Sequence, residues 1–257
     1  MLNVAIECAI SSGKFLLQNI DKINSIEEKS GEIRNLVTDI DKKSEEIIVK
    51  KIKEHFPSHN IIAEEGSSGN NSSDTKWIID PIDGTTNYLH SLPLFSVSIG
   101  IEKNGEIILG VIYEPSRDEL FIAEKECGAK LNGKKISVSK QNQLIRSLLV
   151  TGFPYNINEN PKNCIQHFNN FLFEAQAVRR LGSASLDLCY VACGRFEGFW
   201  EVQLKPWDVA AGKLIVEESG GKISDFDGNN YSIYDESILA TNGLVHNDMI
   251  SVLQKGK

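Results

Sequence analysis

Along residues 2–20, apolar side chains recur at helical spacing (Ala5, Ile6, Ala9, Ile10, Phe15, Leu16, Leu17, Ile20) and predict an amphipathic first helix. The period then fails through a polar, glycine-containing stretch, Glu27 to Asn35, which reads as a mobile loop. After Leu36-Val37-Thr38-Asp39-Ile40-Asp41 a second helix runs through Ile47, Ile48, Ile52 and Phe56, with Thr38 or Asp39 as its N-cap and Pro57-Ser58 as its stop. Asn60–Ala63 is a short strand that delivers Glu64-Glu65. At Trp77-Ile78-Ile79 a hydrophobic strand is predicted to stop at an Asp80-Pro81 turn. It offers a second carboxylate at Asp83 and then starts a helix.

From Phe95 to Ser139 the pattern switches to strands and tight turns. Asn104-Gly105 and Asn132-Gly133 separate the β-rich runs 96–101, 107–113, 120–123 and 135–138, and Asn-Gly in that setting is a strong hairpin signal. These runs predict an antiparallel sheet packed on the two N-terminal helices. Beyond residue 141 the elements alternate: strands at 148–151, 177–180 and 198–202, and helices at 161–174, 184–194 and 207–219, the last stopped by Gly220-Gly221. The pattern divides the chain into an N-terminal α+β half, 1–140, and a C-terminal α/β half, 141–257.

Composition narrows the class. At 257 residues and 41% apolar content the chain can bury a large core. Net charge is −8 and no Lys/Arg block forms a nucleic-acid track, so direct nucleic-acid binding is not expected. No apolar run approaches a membrane span, and the N-terminus lacks the basic region of a signal peptide. Five irregularly spaced cysteines fit reduced thiols and a cytoplasmic protein. Cys189 and Cys193 share a helix face, with no histidine pair spaced to complete a zinc site, and read as core.

Five carboxylates, Asp41, Glu64, Asp80, Asp83 and Asp208, each follow a hydrophobic run or open a helix. Singly, Asp41 and Asp208 are explained as helix-start acids and Glu64 as a strand end. Together they form a hard oxygen donor set without clustered His or Cys, which points to Mg²⁺ or Mn²⁺. Five carboxylates carry −5, and a phosphate monoester adds about −1.5 to −2. Near-neutrality therefore favours more than two divalent ions, and the acids without ions should form a loose, self-repelling site. The Asp225–Asn230 segment looks superficially like a calcium loop but lacks the closing acid, and reads as a surface turn.

The stretches Leu36–Asp41, Ala63-Glu64-Glu65-Gly66, Trp77–Asn87, Leu181–Ala184 and Glu201–Gly212 resemble the inositol monophosphatase family of Mg²⁺-dependent, Li⁺-sensitive phosphatases. The resemblance covers essentially the whole chain. It implies a layered α-β-α-β-α sandwich of the α/β (α+β) class, shared with fructose-1,6-bisphosphatase, and a homodimer. It assigns Glu64, Asp80 and the Ile82 carbonyl to a first metal, Asp80, Asp83 and Asp208 to a second, and Glu64 with waters to a weaker third. Thr85 and Asp41 would orient and deprotonate the attacking water, with the backbone at Gly84-Thr85 binding phosphate. Gly182, Ser183, Ala184 and Glu201, together with Asp83 and Asp208, would face a sugar or polyol phosphate, with myo-inositol 1-phosphate first among them. The lysine that many members carry just before the Leu-Val-Thr stretch has only Lys29 as a candidate here, and strict spacing puts Ser30 in its place.

Two sibling activities share such a scaffold, fructose-1,6-bisphosphatase and histidinol-phosphate phosphatase. Arg179 and Arg180 are the candidates for gripping a second phosphate, although a strand arginine pointing to solvent is the plainer reading. Some bacterial relatives also serve as protein partners of the transcription antitermination machinery.

Overall fold

Sheet-face alternation in the strands accounts for most of the architecture. The computed structural model describes residues 1–22, 25–28, 36–69, 71 and 73–255; Lys29, Ser30 and the rest of 29–35 lie outside the described residues. Leu2–Asn19 (α1) and Asp39–His55 (α2) pack side by side, and Ile26–Glu28 (β1) pairs antiparallel with Leu36–Thr38 (β2) just before α2. Thr38 is the N-cap of α2, and a capping box with Asp41 starts the helix.

The first sheet has seven strands in chain order: Asn60–Ala63 (β3), Thr75–Asp83 (β4), Ser96–Lys103 (β5), Glu106–Glu114 (β6), Glu119–Glu124 (β7), Ala129–Leu131 (β8) and Lys134–Lys135 (β9). Only the β3–β4 pair is parallel. A short helix, Thr85–Leu89 (α3), joins β4 to β5. The second sheet has order β11-β10-β12-β14-β13, from Leu148–Thr151 (β10), Ala177–Arg179 (β11), Gly198–Val202 (β12), Lys222–Ser224 (β13) and Ser237–Thr241 (β14). Its helices are Cys164–Glu174 (α4), Ala184–Ala192 (α5), Pro206–Glu218 (α6) and His246–Leu253 (α7).

Three cores separate five layers. On β4, Trp77 and Ile79 face α1 and α2, while Ile78 faces the other way. That opposite face packs on α5 and α6, which also cover Val150, Phe199 and Ala240 of the second sheet. The far side of the second sheet, with Leu149, Trp200 and Leu239, is covered by Phe171 of α4 and by Met249 and Leu253 of α7. The order is therefore α-β-α-β-α, as the resemblance implied. α6 sits so close to the first sheet that a Cβ on Gly110 would lie 2.6 Å from the Ala211 carbonyl oxygen. Cys189 and Cys193 lie in the middle core, and all five cysteines are free thiols.

The structure departs from the sequence reading in several places. Glu27 and Glu28, read as loop, belong to β1, β8 forms where no strand was predicted, and the helix predicted at 161–174 is α-helical only from Cys164. β4 does not stop at Asp80-Pro81 but runs on to Asp83, which pairs with Ser96 after a register shift between Asp80 and Asp83. The irregularity accommodates a proline that has no N–H to give the ladder. The run predicted at 135–138 contributes only Lys134–Lys135 to the sheet. Beyond Gly221, two strands and a helix form where the pattern predicted none. β14 is buried on both faces, so its residues show no alternation to read. At Asp225 the predicted turn is present, its carboxylate accepting from the N–H groups of Asp227 and Asn229. Among the described residues no helix is long and apolar enough to cross a membrane.

Candidate active site

Four elements, α2, β3, β4 and α6, bring the acids together where β3 and β4 end. Asp41 sits in the first turn of α2 and is fully buried. Its Oδ2 accepts from the Thr38 N–H at 2.8 Å and from the Thr38 hydroxyl, while its Oδ1 accepts from the Thr85 hydroxyl at 3.1 Å. Thr85 Oγ1 is also 3.1 Å from the Ile82 carbonyl oxygen, so one hydroxyl hydrogen is shared between two acceptors. Thr85 opens α3, and the N-cap Gly84 has φ +97°, where any side chain is strained.

Glu64 follows β3 and is half-buried, its N–H bonded to the Ile79 carbonyl of β4 at 3.2 Å. The next turn is braced from α2: the buried Glu45 carboxylate accepts from the N–H groups of Glu65 (2.7 Å) and Ser67 (2.9 Å). Asp80 accepts from the N–H of Ile82 at 3.0 Å. Burial first, then the charges of Glu64, Asp83 and Asp208, push its carboxyl well above the usual range. Asp208, half-buried in the first turn of α6, accepts from the Lys205 N–H at 2.7 Å. It is raised by the same causes, desolvation ahead of Glu64 and Asp83. Burial also raises Asp83, but hydrogen bonds from Ser185 and Ser183 oppose it.

Like charges held this close need a counter-charge to ionise together. Among the described residues no three His, Cys, Asp or Glu side chains close around one point as a ready-made metal cage. The donors are nonetheless all oxygen and on rigid elements, and Asp80 and Asp208 are raised by burial and by the charges of their neighbours. That chemistry fits hard divalent cations.

The second half of the chain supplies the facing wall. Gly182 abuts the turn at Gly84, with its carbonyl oxygen 3.3 Å from where a Gly84 Cβ would lie. Ser183 and Ala184 start α5, and the Ser183 hydroxyl donates to Asp83 Oδ2 at 2.7 Å. Asn87 ties the two halves, donating to the carbonyls of Leu94 (2.7 Å) and Leu181 (2.8 Å). Glu201, on β12, is buried and lies against Gly152, where a Cβ would stand 2.3 Å from both carboxylate oxygens. Burial pushes Glu201 up to about 8, Arg180 pulling it down and Asp83 adding to the rise. Arg179 and Arg180 are both exposed.

Sequence reasoning named no role for Asn87, Ser96, Ser185, Glu45 or Asp187. Asn87 lay inside the quoted motif. The serines and Glu45 gave no signal, because their partners come from distant segments. Asp187 on α5 is buried, and its Oδ1 has no hydrogen-bond partner among the described residues. Burial, then Glu201 and Asp83, raise its carboxyl well above the usual range.

The Glu201 shift makes a prediction about stability. A carboxyl protonated in the fold up to about pH 8, but only to about 4.5 unfolded, stabilises fully below the lower value. That stability is lost as pH rises through the higher one. Without ligands, Glu201→Gln is expected to match the parent protein in Tm at pH 4.5 and to exceed it by roughly 3 °C or more at pH 9. Parallel Tm–pH curves for the two proteins would refute the shift.

Layer order and strand topology define a layered α-β-α-β-α fold, the one seen in the structure of inositol monophosphatase from Anabaena, which is 42% identical with a TM-score of 0.89 over 99% of this chain and 95% of that one. The chain belongs to the inositol monophosphatase family, whose pattern it matches over residues 1–256. It is 39% identical to the Nus factor SuhB of Pasteurella multocida, over 99% of this chain and 96% of that protein. Identity to the inositol-1-monophosphatase of Mesorhizobium japonicum is 36%, with the same coverage of each. The crystal structure of the extragenic suppressor protein suhB from Bartonella henselae superposes with a TM-score of 0.94 at 35% identity, covering 100% of this chain and 99% of that one.

Proposed function

We propose that the chain hydrolyses a phosphate monoester in a Mg²⁺-dependent reaction, with myo-inositol 1-phosphate as the preferred substrate. The observation that carries the reading is the meeting of Asp80 and Asp208, each raised by burial and by the charges of Glu64 and Asp83, with the Thr85–Asp41 pair. Glu64, Asp80 and the Ile82 carbonyl would hold one ion, Asp80, Asp83 and Asp208 a second, and Glu64 a weaker third; Mn²⁺ suits the same donors. Bound ions supply charge neutralisation for the phosphate and a more acidic water.

The protein's own groups do the rest. Asp41 accepts the Thr85 proton and so turns the Thr85 oxygen into an acceptor for a water O–H, aligning that water and drawing its proton toward Asp41. Gly84-Thr85 offers backbone N–H groups to the phosphate. Glu201, protonated to about pH 8 without ions, would ionise more readily with cations bound beside it; its carboxylate would then accept from adjacent hydroxyls of a polyol and oppose a second phosphate. Gly182, Ser183 and Ala184 leave room for a ring. A homodimer and inhibition by Li⁺ accompany this reading through the family.

A substrate panel tests it. Activity is expected to vanish in excess EDTA and return with Mg²⁺. Inositol 1-phosphate is expected to exceed fructose 1,6-bisphosphate in kcat/KM by about tenfold or more, near 1.4 kcal/mol of discrimination. Full turnover in EDTA would end the metal reading. Bisphosphate turnover that Arg180→Ala selectively abolishes would favour the sibling activity.

The relative named Nus factor SuhB favours a second reading, in which the protein also binds transcription machinery. Its test is whether a catalytically dead variant still recovers that machinery from lysate.

A further inference from the structure

Asp83 is gripped by the start of α5. Its Oδ2 accepts from the Ser183 hydroxyl at 2.7 Å, the Ser185 N–H at 2.6 Å and the Ser185 hydroxyl. The Ser185 oxygen is in turn 2.6 Å from the hydroxyl of Ser96, and both serines are fully buried. Ser96 reaches this point from the neighbouring strand, where it stands directly across the ladder from Asp83. The direction of the chain of hydroxyls is fixed by chemistry. An ionised carboxylate only accepts, so Ser185 gives its hydrogen to Asp83 and takes one from Ser96. Three donors on one oxygen use up its lone-pair directions and fix the rotation of the carboxylate. The Ala184 N–H adds a further hydrogen bond to the carboxylate, and Oδ1 is the oxygen on which none of these three donors bears.

We infer that the Ser96–Ser185 pair is a positioning device for the cation site: it closes Oδ2 of Asp83 and presents Oδ1 as a single-oxygen ligand. The inference rests on the metal reading given above. Neither serine touches the cation or the substrate; Ser185 acts through Asp83, and Ser96 acts through Ser185. Orienting partners of this kind typically set metal affinity by 10–100-fold.

Direct binding of Mn²⁺ to the metal-stripped protein, followed by calorimetry, tests this alongside the Mg²⁺ dependence of turnover. Ser185→Ala is expected to weaken Mn²⁺ binding and raise the half-saturating Mg²⁺ by about tenfold, with kcat at saturating Mg²⁺ changed by less than about threefold. Ser96→Ala is expected to move the same quantities by a smaller factor, and the double variant to match Ser185→Ala, since the two act in series. Ser147→Ala removes another buried serine hydroxyl, one that donates to the Gln143 carbonyl away from the acids, and is expected to leave Mn²⁺ affinity unchanged. If Ser185→Ala binds Mn²⁺ as the parent does, or if the losses at 96 and 185 add, the inference is wrong. A parent protein that binds no Mn²⁺ would overturn the metal reading itself, a separate outcome.

Discussion

Asp83→Asn is expected to purify folded and to lose about 100-fold or more in kcat at saturating Mg²⁺, equivalent to about 2.7 kcal/mol of barrier. The fold should tolerate the change because an amide oxygen can still accept from Ser183 and Ser185, the donors that hold this side chain in place. What is lost is charge, and the neutral amide also turns a donor toward the position proposed for a cation. Steady-state kinetics beside a thermal melt measure both halves of the expectation. A folded variant with parental turnover would put the reaction somewhere other than the β4–α3 turn.

Asp41→Asn and Thr85→Ala are expected to slow the chemical step by about 100-fold each, the scale of a lost proton-transfer partner. The double variant should cost little more than either, because residues that act as one unit are not additive. Their hydrogen bond, 3.1 Å across 44 residues of sequence, is the basis for that expectation. Asp41 has a second duty in the capping box of α2, and losing part of that cap costs about 1 kcal/mol. Stability must therefore be measured separately, with Thr85→Ala as the cleaner test. Strictly additive losses would mean that the two residues do not share a water. Metal affinity should fall less here than in Glu64→Gln or Asp80→Asn.

Much of this arrangement was legible in the chain. The helical period of residues 2–20, the Thr38 cap and Asn104-Gly105 gave α1, α2 and the β5–β6 hairpin, because each is a local signal, whereas Asn132-Gly133 turns a β8–β9 hairpin whose first strand the pattern did not show. The acids were legible through their position at element ends. Their crowding was not, since it depends on how β3, β4, α2 and α6 meet in space. The run of β4 through Pro81 was hidden because proline ordinarily ends a strand and only the bulge lets it stay. β14 and α7 were missed for lack of alternation and of a strong start signal. Ser96 and Ser185 look like any other serines in the sequence, and only the register of β4 against β5 sets one across from Asp83.

The seating of α6 on the first sheet constrains what can be varied in the laboratory. Asp208 is carried on the first turn of a helix whose Ala211 backbone leaves no room for a methyl group on Gly110. Saturation libraries aimed at positions 209–212 in search of new substrate range would return mainly unfolded clones. Diversity is better placed at exposed Arg180, which lies close enough to Glu201 to pull its carboxyl down without carrying a layer of the fold.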